Sequence, residues 1–175
     1  MDKPAIKSIL SSVEHKVLET TAIASTPLEM SIIDAVAHYL ESKGWRYVQE
    51  ESDLLHTTFQ IDTYQWDCYI QSFAAQQQLL IYSILPTIAP PDKKAAILEL
   101  LTRINYELVI GSFDMDIQNG YLSCKTSLDI TDSHLDLALL HNLFQANFET
   151  VVYYLSAFNG VIQEGRLPDE ARSRL

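Results

Sequence analysis

Five glycines among 175 residues leave little material for a phosphate cradle, where the backbone must approach an anion closely at several glycines. The two cysteines, Cys68 and Cys124, have no metal-ligand spacing. Both fall mid-strand on apolar faces and read as small buried hydrophobes in a reducing compartment. Basic residues are few: 12 Lys and Arg stand against 23 Asp and Glu, for a net charge of -11. That balance repels nucleic-acid phosphates and the anionic inner face of a membrane, so neither is an expected partner. No segment approaches the roughly 18 apolar residues of a membrane span, and MDKPAIKSILSSVEHK holds no uninterrupted apolar core of export-signal length. The expectation is a cytoplasmic protein. There is no HExxH, no Gly-x-Ser-x-Gly elbow and no glycine-rich loop after a strand. His134 and His141, seven apart, read as surface histidines rather than ligands. No catalytic residue, resident metal or cofactor is expected.

What the chain does have is turn chemistry. In NYELVIGSFDMDIQNGYLSCKTSLDI, Asn119-Gly120 lies between two alternating runs, and Asn-Gly is the preferred pair of a type I′ turn. A two-residue loop would set Gln118 against Tyr121, Ile117 against Leu122, Met115 against Cys124, Asp114 against Lys125 and Phe113 against Thr126. One face then carries Phe113, Met115, Ile117, Leu122, Cys124 and Leu128. The other carries Ser112, Asp114, Asp116, Ser123, Lys125, Ser127 and Asp129.

Around this hairpin the apolar period alternates between helical and extended. Ile6, Ile9, Leu10, Val13, Val17 and Leu18 mark an amphipathic helix over residues 1–20, followed by a connector, TTAIAS. Thr26-Pro27-Leu28-Glu29 forms a capping box that starts a second helix, which buries Leu28 and Val36 and stops at Gly44. Trp45–Glu50, Leu54–Ile61, Tyr64–Phe73 and Leu79–Leu85 read as four strands of an antiparallel meander. Asp92–Leu108 returns to helical spacing, and after the hairpin Asp132 or Ser133 caps a long helix to about Gly160. Residues 165–175 read as a short frayed tail. The order α-α-ββββ-α-ββ-α predicts an α+β fold, an antiparallel sheet of about five to six strands with helices packed on one face. Three segments are expected: residues 1–25 as an N-terminal helix and connector, 26–164 as one α+β domain, and the tail.

Two surfaces are candidates for binding. The last helix carries one stripe of Leu137, Leu140, Phe144, Phe148, Val151, Leu155 and Phe158 for the core. A second, Leu139, Leu143, Ala146, Thr150, Tyr153 and Ala157, needs cover from the N-terminal helix or from another subunit. The polar sheet face would gather His56, Asp67, Tyr69, Asp114, Asp116, Lys125 and Asp129. That face suits a peptide or a small polar ligand; a solvated face is its ordinary use. Asp114 and Asp116 could share a cation, but Lys125 opposite Asp114 makes a cross-strand ion pair the commoner arrangement.

The run LLTRINYELVIGSFDMDIQNGYLSCKTSLDI resembles the most recognisable segment of the YbjN family of bacterial, including cyanobacterial, proteins. The matching residues are Asn105, Tyr106, Gly111, Asn119, Gly120, Thr126, Ser127, Leu128 and Asp129, and the similarity covers roughly residues 26–160. The resemblance implies a fold like that of the type III secretion chaperones, a homodimer without catalytic activity, and an association with regulation; it assigns no functional residue. The resulting expectation is a non-enzymatic, chaperone-like or regulatory adaptor that binds itself and another protein. A small-ligand or divalent-metal enzyme on the acidic sheet face is the alternative.

Overall fold

The computed structural model describes residues 30–133 and 135–175. The expected N-terminal helix, the connector, the Thr26–Glu29 capping box and His134 lie outside the described residues. The elements are α1 (Ile32–Ser42), β1 (Tyr47–Glu51), β2 (Leu54–Ile61), β3 (Tyr64–Phe73), β4 (Gln78–Ile88), α2 (Lys94–Glu107), β5 (Ser112–Met115), β6 (Tyr121–Asp129), α3 (Leu137–Ile162) and α4 (Pro168–Arg172). Ser31 caps α1, its side chain accepting from the Asp34 N–H, so this helix begins later than the Thr26 box would place it. Gly44 follows it at φ +68, the left-handed residue expected after its end.

The six strands form one antiparallel sheet in the order β1-β2-β3-β4-β6-β5. Its helix-facing side carries Leu55, Phe59, Trp66, Cys68, Ile70, Ile81, Cys124 and Phe113. Val36 and Leu40 of α1, Ile97 and Ile104 of α2, and Leu140, Phe144, Val151 and Phe158 of α3 pack on it. Each fully buried side chain of this size stabilises the fold by about 1.5–3 kcal/mol.

One row under α3 is polar. Ser83 stands between Cys68 and Cys124 in the strand register and donates to Asn147 Oδ1 at 2.6 Å. Trp66 Nε1 donates to Ser83 Oγ at 3.3 Å. The Asn147 amide nitrogen lies 3.4 Å from the Cys124 carbonyl oxygen and from Thr126 Oγ1, and 3.5 Å from the Ile81 carbonyl oxygen. Asn147 is fully buried.

The hairpin forms, but not in the predicted register. Ser112 faces Lys125, Phe113 faces Cys124, Asp114 faces Ser123 and Met115 faces Leu122, a slip of two residues. The connection is Ile117–Gly120, closed by Gly120 N–H to Asp116 O at 2.6 Å and Asp116 N–H to Tyr121 O at 2.9 Å. Only Gly120 of the Asn-Gly pair has positive φ, at +78, so no type I′ turn exists. The Asp116 carboxylate accounts for this. It accepts from the backbone of Gln118 at 2.8 Å and of Asn119 at 3.3 Å, and from the Asn119 side chain at 2.8 Å, a local bonding pattern that outcompetes the tighter loop. An even slip preserves the faces, so Phe113, Leu122 and Cys124 still point inward. Ile117 is the exception, 66% exposed in the loop.

Two further expectations fail. The cap of α3 is Asp136, whose side chain accepts from the Leu139 N–H, while Asp132 takes φ +56 in the preceding loop. The tail does not fray: Pro168 and Ala171 of α4 are buried, with Arg172 paired to Glu107 and Arg103 to Asp169.

Candidate functional site

The strand register sets out the open face of the sheet, opposite the helices, as rows. Val48, His56, Tyr69, Tyr82, Lys125 and Ser112 line up across the six strands. Thr58, Asp67, Ile84, Ser123 and Asp114 form the next row, and Leu54, Gln71, Leu80 and Ser127 lie on the other side. Of the predicted ligand face, His56, Asp67, Tyr69, Asp114, Lys125 and Asp129 therefore share this surface. Asp116 does not; it is consumed by the hairpin loop.

The shared face is not the continuous polar surface expected. At one end the His56 ring stacks on Tyr69 with centroids 4.6 Å apart. Its Nε2 lies 2.9 Å from Asp67 Oδ1 and its Nδ1 3.9 Å from Glu50 Oε1. At the other end Lys125 Nζ pairs with Asp114 Oδ2 at 2.7 Å, diagonally rather than directly across. Asp129 accepts from the Thr131 N–H at 2.9 Å and from Gln78 at 3.1 Å, and the Thr131 bond, then Gln78, hold its carboxyl below the usual range. The Asn119 bond does the same for Asp116.

Between these ends lies an apolar strip: Leu54, Tyr69, Leu80, Tyr82 and Ile84, each 5–8% exposed. Burial, with the Asp67 and Glu50 charges secondary, pushes the Tyr69 phenol up to about 12. Burial likewise raises that of Tyr82. Each carboxylate thus has a local structural partner, and among the described residues no three His, Cys, Asp or Glu side chains converge as a metal site. The strip was visible in the sequence as the run Leu79–Leu85, apolar at every position but Ser83, a pattern that marks a strand covered on both sides rather than one.

On α3 the buried arc is centred at Asn147, between the two predicted stripes, and runs through Leu140, Leu143, Phe144, Val151, Tyr154 and Phe158. Leu143 and Ala157, expected at an interface, are therefore 6% and 1% exposed inside the chain's own core. Leu139, Ala146 and Thr150 are half-buried at the arc's margin, and Tyr153 projects, 54% exposed. Leu137, assigned to the core, is 48% exposed.

A surface not anticipated lies at the other edge. Where α2 runs into β5, Tyr106, Val109 and Ile110 are 91%, 97% and 55% exposed. Beside them the Asn105 side chain donates to the Phe113 carbonyl and accepts from the Phe113 N–H, both at 2.8 Å. That amide occupies the outward-facing backbone groups of Phe113, which blunts this edge against strand addition. The shoulder was hard to read because Leu108-Val109-Ile110 is apolar without a period.

The profile of the YbjN family, described as "Putative bacterial sensory transduction regulator", matches residues 33–159. The chain belongs to the YbjN family. Its fold is similar to that of the YbjN crystal structure from E. coli, with a TM-score of 0.53 and 16% identity over 69% of this chain and 86% of that one. It is also similar to a chain of the ExsC–ExsE complex, at TM-score 0.52 and 14% identity over 71% and 94% of the two chains. A chain of the HopA1–SchA chaperone–effector complex gives TM-score 0.50 and 16% identity over 71% and 95%. The expected secretion-chaperone-like fold is thus the one found. A search of curated proteins finds no match. Within this YbjN chain several residues that carried the resemblance hold the fold together: Asn105 staples β5 at Phe113, Gly111 sits at φ +82 against the Lys125 carbonyl, Thr126 meets Asn147 and Asp129 caps the loop after β6.

Proposed function

We propose that this YbjN protein is a non-enzymatic protein-binding module, a chaperone-like or regulatory adaptor that works as a homodimer in the cytoplasm. The observation that carries the reading is the Tyr106, Val109 and Ile110 shoulder, apolar and exposed beside an edge strand whose Phe113 backbone groups Asn105 already occupies. Contiguous exposed apolar side chains mark protein contacts, and a two-fold contact through this shoulder would set each Val109 and Ile110 against their counterparts. The similarity to a chain from a chaperone–effector complex supports a second protein as partner. For that partner the outer margin of α3, with Leu139, Ala146, Thr150 and Tyr153, is the candidate contact. Polar Asn142, Gln145 and Glu149 on the same side are exposed, which suits a reversible contact better than a permanent seam.

Sedimentation velocity of the full chain at micromolar concentration tests the reading. The expected result is a dimer that Val109→Asp converts to a folded monomer and Tyr153→Asp leaves intact. A parent chain that is monomeric throughout would overturn the homodimer. A photo-crosslinker at Tyr153 that gives no adduct with any second protein in cells would overturn the adaptor contact.

A further inference from the structure

The strip on the open face is buried, yet its cluster of Leu54, Tyr69, Leu80, Tyr82, Ile84 and the adjoining Phe73 consists of strand residues alone among the described residues. On a bare antiparallel face, neighbours in the sheet shield the flanks of a side chain but leave its tip in water. Values of 5–8% for two tyrosines and three aliphatic side chains therefore call for cover that α1, α2, α3 and α4 do not give, since none of their side chains joins this cluster and their core residues belong to the other one.

We propose that the amphipathic N-terminal segment is this cover. It would lie as a helix across the open face with Ile6, Ile9, Leu10, Val13 and Val17 on the strip. Three observations favour it over other occupants. Its apolar residues recur at three and four over about 17 Å of helix, a length that spans three to four strands at about 4.8 Å each. The connector of residues 20–29 reaches about 33 Å when extended, enough to bring the segment from the start of α1 around the sheet edge. Charge also fits. The rim of the strip carries the carboxylates of Glu50, Asp67, Asp114 and Asp129, and the first 16 positions, with Lys3, Lys7 and Lys16 against Asp2 and Glu14, carry a small positive excess in a chain of net charge -11. A second copy laid face to face would instead oppose those carboxylates with themselves.

A nitroxide label at Ser12→Cys in the full-length chain tests the inference, because Cys68 and Cys124 are buried and leave the new thiol as the labelled site. The methyl resonances of Leu54, Leu80 and Ile84 should lose most of their intensity while those of Leu98, on the outer side of α2, keep theirs. Adding Ile9→Asp and Val13→Asp should restore the lost intensity and raise binding of an apolar dye several-fold, with the far-UV spectrum of the sheet unchanged. Loss confined to Leu98 or the α3 margin, or no loss anywhere, would overturn the inference. So would loss that appears only when label and isotope sit on different copies, since the cover would then come from a second chain.

Discussion

Replacing Asn147 with leucine removes a fully buried polar side chain that α3 inserts among the aromatic and aliphatic residues under the sheet, and keeps its branched shape and heavy-atom count. The Ser83 hydroxyl then loses the acceptor it reaches at 2.6 Å and faces apolar neighbours, in a site where Ser83 and Asn147 are both 0% exposed. An orphaned buried donor costs about 1–3 kcal/mol. The Asn147 amide contributes less, because its distances to Ile81, Cys124 and Thr126 are 3.4–3.5 Å, near the limit of a hydrogen bond. The expected loss for Asn147→Leu is therefore about 2–3 kcal/mol, a large share of the roughly 5–15 kcal/mol that holds a domain folded. Asn147→Ala should cost about 1 kcal/mol more through the void it leaves. Urea unfolding followed by tryptophan fluorescence and far-UV circular dichroism measures both, and Trp66 reports locally because its indole donates into the same chain of bonds. Combining Asn147→Leu with Ser83→Ala should recover about 1 kcal/mol relative to the sum of the single changes, with the remaining loss in part the Trp66 N–H left without an acceptor. If Asn147→Leu unfolds within about 0.5 kcal/mol of the parent, the polar row contributes nothing to stability and the reasoning fails.

Three further outcomes are expected. Gly120→Ala should destabilise by about 2 kcal/mol or more, since at φ +78 an added methyl group would overlap the Ala89 carbonyl oxygen; Asn119→Ala should cost under about 1 kcal/mol, and a reversed order in the same urea titrations would restore the type I′ turn. Asn105→Ala should cost about 1–3 kcal/mol and, by freeing the Phe113 N–H and carbonyl, yield higher oligomers on a sizing column. Cys68 and Cys124 should react with an aromatic disulfide reagent at pH 8 only after unfolding, because burial pushes the Cys68 thiol up to about 12 and that of Cys124 up as well. Unfolded thiols ionise near about 8.5, so the native chain holds more protons above that pH and stability should fall between roughly pH 8.5 and 12.

The elements were legible where one local signal stood without a rival. Leu54–Ile61 and Tyr64–Phe73 end at the residues expected, because alternation stops cleanly at Asp62-Thr63. The hairpin register was not legible, since it depends on whether the Asp116 side chain or the Asn-Gly pair controls the loop, and both are sound turn formers. Asn147 broke the pattern of α3: a stripe drawn through apolar residues alone skips the position facing the centre of the sheet. The grouping of His56, Asp67, Tyr69 and Lys125 on one face followed from parity, which an even slip in the hairpin leaves intact. Their separation by Leu80, Tyr82 and Ile84 depends on which strands are neighbours. That order, with β6 rather than β5 beside β4, is a tertiary fact.

That order also has a consequence for how the chain assembles. The first four strands pair through short connections, so their meander can grow by local steps, whereas β6 reaches β4 only after the whole of α2 and β5 has been looped out. Closing that excursion carries an entropic cost before any contact offsets it. Asn147 then touches Ile81 on β4 and Cys124 and Thr126 on β6 together, so its bonds cannot form on a half-built sheet. Docking of α3 is in this sense a late event, and until it happens the sheet's broad apolar underside is open to whatever binds it first.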